Sequence, residues 1–216
     1  MKIFLDTANT EEISKGIATG IVTGVTTNPT IISRENKTFS KCIKDILSID
    51  PALTILVEVI ATKTNGMIEE AQRFGKISKN VVVKIPMTEQ GLAAVKVLSR
   101  QGIKTTVTLV FSVNQAITAA CAGTNYVAPF VGRLDDINAD GVGLVKRIKT
   151  VFETQCVSTK VLAASIRTPQ SVTELFSVGC DIVTMPGKIL HAMIKHPLTE
   201  AGLKKFEEDW KKVPQV

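Results

Sequence analysis

A lysine interrupts an otherwise apolar segment of the sequence. Lys84 lies in the run Val-Val-Val-Lys-Ile-Pro at residues 81–86, and such a run is typical of a buried strand. Burial of an ammonium ion is costly and favours the neutral amine. A free amine is the nucleophile that attacks a ketone to form a Schiff base. A strand-end lysine that extends into solvent is the alternative, but the apolar neighbours favour a Schiff-base lysine.

Two acidic residues end or interrupt other apolar segments. Asp6 closes the first apolar segment, and Glu58 stands between two valines. A carbinolamine needs a proton donor and acceptor to lose water, and cleavage of a carbon–carbon bond needs a base on a hydroxyl group. Thr108 could help to hold a water molecule between such groups. For Asp6, a role as a cap or turn residue is the alternative.

Sixteen alternating segments must position these residues. Val, Ile and Thr are frequent in eight short and nearly continuous apolar segments, which predict parallel strands at residues 3–5, 21–25, 53–59, 81–85, 105–110, 126–128, 160–164 and 181–184. Apolar residues at spacings of three and four predict helices between them at residues 10–19, 38–47, 66–77, 89–100, 113–122, 141–152, 169–178 and 187–195.

This alternation predicts an α/β fold, a (β/α)8 TIM barrel. A doubly wound open sheet shares the alternation and is the other candidate fold. Its dinucleotide-binding version is disfavoured, because no Gly-x-Gly-x-x-Gly motif follows the first strand. Residues 198–213 predict an extra C-terminal helix with Leu203, Phe206, Trp210 and Val213 on one stripe. That stripe packs either on its own barrel or on a neighbouring subunit.

Active sites of TIM barrels lie at the carboxyl ends of the strands. Lys2 and Lys160 fall at strand starts and are weaker candidates for chemistry. The residues at the carboxyl ends are Asp6, Thr26, Asn28, Glu58, Lys84, Thr106, Thr108, Phe130, Arg133, Ser165 and Arg167.

A phosphate site is predicted at the same end of the barrel. Ser165 and Arg167 follow the seventh strand, where many barrels bind phosphate. The planar fork of an arginine donates two hydrogen bonds to a phosphate, and Arg133 after the sixth strand adds a second charge. Surface salt bridges are the alternative role of these arginines.

Composition disfavours several other classes of protein. No segment reaches the roughly 20 apolar residues that a membrane helix needs, and the N-terminus does not have the form of a signal peptide. The four cysteines form no Cys-x-x-Cys pair, and His191 and His196 do not share a helix face. We therefore expect one cytoplasmic domain over residues 1–216, with free thiols and without a metal.

The net charge of +6 raises the possibility of a nucleic-acid partner. The lysines are spread along the chain, however, and it has only one Tyr and one Trp. A basic groove with stacking aromatic residues is therefore not indicated, and we expect no nucleic-acid partner.

Five motifs together resemble the small transaldolase and fructose-6-phosphate aldolase family. The resemblance runs in order along essentially the whole chain, and the combination is highly specific. The motifs are FLDTA at residues 4–8, GVTTNPT at 24–30, VKIP at 83–86, YVAPFVGR at 126–133 and AASIR at 163–167.

The resemblance implies a class I aldolase-type barrel without a metal or organic cofactor. Lys84 is similar to the family's Schiff-base lysine, and Asp6 to the acid/base that acts on the C4 hydroxyl of the substrate. Glu58 and Thr108 resemble the pair that holds the catalytic water.

The remaining positions imply how substrate is bound and how subunits assemble. Thr26, Asn28 and Thr106 are expected to line the site, while Ser165, Arg167 and Arg133 resemble the phosphate binders. Family members often form decamers, in which the C-terminal helix reaches a neighbour, so a homo-oligomer (decamer or pentamer) is expected.

Two positions separate the two activities of the family. The aldolases carry Tyr where Phe130 stands and Gln where Glu58 stands. The resemblance therefore implies a transaldolase that moves a dihydroxyacetone unit from sedoheptulose 7-phosphate or fructose 6-phosphate to glyceraldehyde 3-phosphate or erythrose 4-phosphate. This reaction belongs to the non-oxidative pentose phosphate pathway. The alternatives are a fructose-6-phosphate aldolase and, more remotely, a non-catalytic barrel that binds phosphosugars or nucleic acid.

Overall fold

Eight parallel strands close into a barrel in the computed structural model of the chain, which describes residues 1–214. Each strand pairs with the next in sequence, and the eighth pairs with the first. The predicted (β/α)8 TIM barrel with an extra C-terminal helix is confirmed, and the open-sheet alternative is wrong. The strands are β1 (Lys2–Asp6), β2 (Val22–Thr26), β3 (Thr54–Glu58), β4 (Val81–Pro86), β5 (Thr105–Val110), β6 (Tyr126–Pro129), β7 (Lys160–Ala163) and β8 (Ile182–Met185).

The helices cover the outside of the barrel and connect its strands. They are α1 (Thr10–Ala18), α2 (Pro29–Ser33), α3 (Phe39–Ile49), α4 (Thr64–Gly75), α5 (Glu89–Arg100), α6 (Val113–Ala122), α7 (Val131–Asp135), α8 (Gly141–Thr154), α9 (Pro169–Ser177), α10 (Gly187–Ile194) and α11 (Pro197–Trp210). The short helices α2 and α7 are not among the predicted segments, because five residues are too few to show a helical period.

The inside of the barrel has its own apolar core below the polar residues. Gly24 on β2 leaves room for the ring of Phe4, since a Cβ at Gly24 would lie 2.6 Å from that ring. Side chains two residues apart point to the same face of a strand, so polar residues two positions after these apolar ones also point into the barrel. The apolar side chains separate those polar groups from solvent at the amino ends of the strands. We call this core the barrel floor, and it consists of Phe4, Leu56, Val82, Ala128, Leu162, Ala164 and Ile182.

Strand register places the candidate catalytic residues side by side on top of the barrel floor. Glu58 on β3 pairs with Lys84 on β4, and Lys84 pairs with Thr106 on β5. Asp6 on β1 pairs with Thr26 on β2. Asp6, Thr26 and Glu58 end their strands and Lys84 lies two residues before the end of β4, so these four reach the carboxyl end of the barrel, whereas Thr106 is only the second residue of β5.

The C-terminal helix α11 does not bury its apolar stripe against the barrel. None of its residues is buried, and Leu203, Phe206 and Trp210 are 62%, 72% and 66% exposed. Packing of this helix on its own barrel, one of the two predicted alternatives, is therefore wrong. In the part of the chain that the structure describes, no helix has the length and apolarity to cross a membrane.

Candidate active site

A cavity of about 650 Å³ opens at the carboxyl ends of the strands. This volume is within the range of small-molecule sites. Thr106 is fully buried and does not line the cavity, although the sequence predicts that it does. The other ten predicted site residues line it together: Asp6, Thr26, Asn28, Glu58, Lys84, Thr108, Phe130, Arg133, Ser165 and Arg167.

Lys84 is a buried amine at the base of this cavity. Lys84 as a whole is 5% exposed, and it lies two positions after Val82 of the barrel floor. The ammonium Nζ donates to the carbonyl oxygen of Thr27 at 3.0 Å and lies 3.1 Å from Oε2 of Glu58. Nζ thus lies between two oxygen acceptors, instead of in the purely apolar surroundings that the sequence predicts. A carboxylate at this distance can exchange a proton with the amine.

Two threonine hydroxyls on β5 have no hydrogen-bond partner among the described residues. They belong to Thr106 and Thr108, and both are fully buried. Buried polar groups are nearly always hydrogen-bonded, so the Thr108 hydroxyl, which lines the cavity, is available to a solvent molecule or to a substrate group. Thr108 and Glu58 both line the cavity, so the prediction that they hold one water molecule stays a prediction.

Asp6 is a carboxylate held by a threonine. The hydroxyl of Thr26 donates to Oδ1 of Asp6 at 2.6 Å. Burial raises the pKa of Asp6 above its ordinary value, and the charges of Glu12 and Glu58 act in the same direction, while the hydrogen bond from Thr26 and the charge of Lys84 oppose them. A carboxyl group with a raised pKa accepts a proton more readily, as a general base requires.

Asn28 has a structural task beside its predicted role in substrate binding. Its Oδ1 accepts a hydrogen bond of 2.8 Å from the backbone N–H of Ile31 and caps the start of α2. Pro29 follows at the first helical position, which agrees with proline's fixed φ and missing N–H. The amide NH₂ of Asn28 is therefore the part that can donate to a substrate.

Two of the arginines that line the cavity, Arg133 and Arg167, are brought together by close contact between the loops after β6 and β7. The N–H of Gly132 donates to the carbonyl oxygen of Ser165 at 3.1 Å, and a Cβ on Gly132 would overlap that oxygen. Ser165 has a positive φ of 63°, which is uncommon for a residue other than glycine. This contact sets Arg133 on α7 next to Arg167 on the β7 loop.

The guanidinium groups of these arginines have different surroundings. The Arg133 guanidinium lies 5.0 Å from the centre of the Phe130 ring, within cation–π range. Nη2 of Arg167 donates to Asp136 at 2.9 Å, and more than half of each side chain is exposed. A surface salt bridge was the alternative to phosphate binding that the sequence analysis left open, and Arg167 forms one with Asp136. Arg167 nevertheless also lines the cavity. Exposed pairs contribute little stability, so a phosphate can compete for the guanidinium.

The cavity also includes residues that the sequence analysis missed. Thr184 stands two positions after Ile182 of the barrel floor, so strand parity alone could have identified it. Glu12 lies on α1 and Arg34 directly follows α2, and no strand pattern indicates them.

Glu12 occupies a place where many barrels bind phosphate. Its Oε1 accepts a hydrogen bond of 2.8 Å from the N–H of Gly187, the first residue of α10 after β8. In many TIM barrels a helix N-terminus in this region binds a phosphate group. Because a carboxylate already takes this position, the arginines after β6 and β7 are the better phosphate site.

Other chemistry-bearing side chains do not form a second centre in residues 1–214. No three His, Cys, Asp or Glu side chains there are grouped so that they could hold a metal ion. Cys42 and Cys180 are buried, Cys121 and Cys156 are exposed, and all four are free.

Comparisons with known proteins agree with this geometry. Residues 3–216 match the family described as "Transaldolase/Fructose-6-phosphate aldolase". The chain is 53% identical to a "Probable transaldolase" of Pelotomaculum thermopropionicum, over 99% of both chains. It is 50% identical to one of Thermoanaerobacter over 98% of both chains, and 49% identical to one of Aquifex aeolicus over 100% of this chain and 99% of the relative. The chain belongs to the transaldolase/fructose-6-phosphate aldolase family.

Proposed function

We propose that the protein is a transaldolase that transfers a dihydroxyacetone unit between sugar phosphates through a Schiff base on Lys84. The observation that carries the proposal is the buried Nζ of Lys84, 3.1 Å from the Glu58 carboxylate, in one cavity with Asp6 and two arginines. A buried amine, a carboxylate beside it and a second carboxylate are the groups that this chemistry requires. The donors are fructose 6-phosphate and sedoheptulose 7-phosphate.

Schiff-base formation begins when the phosphate of the ketose binds Arg133, Arg167 and Ser165. Lys84 passes a proton to Glu58, and its free amine attacks the C2 carbonyl carbon to give a carbinolamine. Glu58 then returns a proton to the C2 hydroxyl, directly or through a water molecule bound to Thr108. Water leaves, and the resulting iminium ion is an electron sink for the next step.

Cleavage and transfer follow from the position of Asp6. Its carboxylate takes the proton of the C4 hydroxyl, the C3–C4 bond breaks, and its electron pair moves into the iminium ion to give an enamine. The aldose phosphate, glyceraldehyde 3-phosphate from a fructose donor, leaves with its phosphate. Erythrose 4-phosphate then enters, and the same steps in reverse give sedoheptulose 7-phosphate, in the non-oxidative pentose phosphate pathway.

The cavity supports transfer over release of free dihydroxyacetone. Release requires protonation of the enamine, and a phenol is a suitable donor near the site. Phe130 supplies no such proton, and the only tyrosine of the sequence, Tyr126, does not line the cavity. A fructose-6-phosphate aldolase is the second candidate, and a non-catalytic binding barrel is the third.

Donor turnover with and without an acceptor tests the proposed function. With fructose 6-phosphate alone, we expect a stoichiometric release of glyceraldehyde 3-phosphate and a three-carbon adduct that borohydride traps on Lys84. Addition of erythrose 4-phosphate should remove the three-carbon unit from Lys84 and yield sedoheptulose 7-phosphate. Continuous release of dihydroxyacetone without an acceptor would show an aldolase. The absence of any adduct under both conditions would contradict the Schiff-base mechanism.

Substitution of Phe130 by tyrosine should move the activity towards the aldolase. A phenol in the cavity can protonate the enamine, so we expect dihydroxyacetone release from fructose 6-phosphate to rise about tenfold or more, with less transfer. A coupled dehydrogenase assay for free dihydroxyacetone measures this. The control is Phe111→Tyr, because the Phe111 ring lies 5.9 Å from Phe130 but does not line the cavity. An equal rise in both variants would refute a specific role for position 130.

The exposed stripe on α11 supports a further part of the proposal, a homo-oligomer. Large apolar side chains at 62% to 72% exposure would be covered by a neighbouring subunit, as the family resemblance implies. We also place this enzyme in the cytoplasm and take residues 1–216 as one domain that acts without a cofactor.

A further inference from the structure

A row of three side chains in the lining of the cavity joins β8, β2 and β1. The hydroxyl oxygens of Thr184 and Thr26 are 2.7 Å apart, and Thr26 donates to Oδ1 of Asp6 at 2.6 Å. Thr184 and Thr26 are 1% and 2% exposed, so bulk water does not compete for these bonds. The row therefore forms a closed connection between Thr184 and the carboxylate.

The single hydrogen of each hydroxyl gives this row a direction. Thr26 uses its hydrogen on the Asp6 carboxylate, so the hydrogen between the two threonines must come from Thr184. A hydroxyl that accepts a hydrogen bond becomes a stronger donor, because successive hydrogen bonds polarise one another. Thr184 thus fixes the orientation of the Thr26 hydroxyl and strengthens its bond to the carboxylate.

We propose that Thr184 is a positioning residue for Asp6, and that its hydroxyl holds Thr26 in the orientation that stabilises the ionised carboxylate. The proposal rests on the proposed function in one respect, the role of Asp6 as the base in cleavage. The same row can also reverse: a protonated Asp6 donates to Thr26, and Thr26 then donates to Thr184. Both protonation states of Asp6 therefore keep a hydrogen-bonded partner.

Three other charged groups act on Asp6 from the surrounding elements. Lys84 on β4 favours the carboxylate, while Glu58 on β3 and Glu12 on α1 disfavour it. None of them contributes a hydrogen bond to Asp6, whereas Thr26 does. Removal of the Thr184 hydroxyl changes this hydrogen bond and leaves the three charges in place.

Thr184→Val should raise the pH at which the enzyme loses activity in acid. The valine keeps the shape of the side chain and removes the donor to Thr26. We expect the acid side of the pH profile of kcat/KM to move to higher pH by about 0.5 pH unit. Thr184→Ser keeps the hydroxyl and should have the same pH profile as the wild type. Thr184→Ala gives the same test if the valine variant does not fold.

The matched control is Thr159→Val, a buried threonine that donates to the carbonyl oxygen of Thr124, away from the cavity. It loses one buried hydrogen bond of comparable length and should leave the acid side of the pH profile unchanged. If it shifts the profile as Thr184→Val does, the effect comes from a general loss of stability and the proposal is wrong.

A second readout separates this proposal from the proposed function. The pKa of Asp6 can be followed by carbon NMR of its carboxyl carbon, assigned by its loss in Asp6→Asn, with no need for substrate. An upward shift in Thr184→Val but not in Thr184→Ser would support the positioning role, even if the wild-type protein transfers no dihydroxyacetone. Identical Asp6 titrations in wild type and Thr184→Val would overturn it, even if the wild-type protein is an active transaldolase.

Discussion

Lys84→Met should abolish borohydride trapping of the donor and lower the rate of transfer at least about 10⁴-fold. The thioether chain has a length similar to that of lysine but no amine, so no covalent bond to C2 can form. The loss should be seen in kcat, because the proposed phosphate binders Arg133 and Arg167 are unchanged. Single-turnover release of glyceraldehyde 3-phosphate, with mass spectrometry of the trapped peptide, measures both effects.

Lys160→Met is the matched control for this substitution. Lys160 also stands on a barrel strand, but at the start of β7 and with its side chain 59% exposed. It should retain trapping and transfer at wild-type levels. A trapped adduct in Lys84→Met, or its loss in Lys160→Met, would show that the reacting amine has been assigned to the wrong lysine.

Asp6→Asn should lower transfer by about 10² to 10⁴ and raise the melting temperature at neutral pH. The loss of activity follows from the absence of a base for the C4 hydroxyl. The gain in stability follows from burial, which raises the pKa of Asp6 in the folded protein above its ordinary value of 3.8. The folded protein therefore holds the proton more tightly than the unfolded chain does, and ionisation of Asp6 opposes folding.

The sign of this effect sets its pH dependence. Below pH 3.8 the carboxyl group is protonated in both states and the variant has no advantage from charge. As pH rises through the interval between the ordinary and the raised pKa, the wild type loses stability relative to Asp6→Asn, and the difference is then constant. Melting curves from pH 4 to pH 8 measure it.

Asp45→Asn is the control of opposite sign. Lys41 and Lys37 lower the pKa of Asp45, so replacement of this carboxylate should reduce stability at neutral pH instead of raising it. An Asp6→Asn variant that melts below the wild type at pH 7, or that transfers at an undiminished rate, would contradict the role given to Asp6.

Residues on strands were the predictable part of the site. Strand parity carries Lys84, Glu58 and Asp6 to the same end of the barrel, because each lies two positions after an apolar residue of the barrel floor. The eight strands themselves follow from their apolar character, with boundaries that coincide with those observed or differ from them by one residue.

The residues that the sequence analysis missed or misplaced depended on contacts that a linear pattern does not contain. Glu12 enters the cavity region because it reaches Gly187, which is 175 positions later in the chain. Thr106 was assigned to the cavity because it lies on the same strand as Thr108, but it is the second residue of β5 and lies below the cavity lining. Glu58 was predicted to serve Lys84, but their direct contact depends on the register of β3 against β4, which the sequence pattern does not contain.

The carboxylate that Glu12 places at the start of α10 has a consequence for how a substrate approaches. With Asp6 it brings two carboxyl groups to the side of the cavity near β1 and β8, while Arg133 and Arg167 bring two guanidinium groups to the side near β6 and β7. The proposed sugar phosphate substrate carries its charge at one end only, so we expect this separation of charge to turn the molecule during diffusion, before any contact forms. The encounter rate should then fall as salt screens the charges.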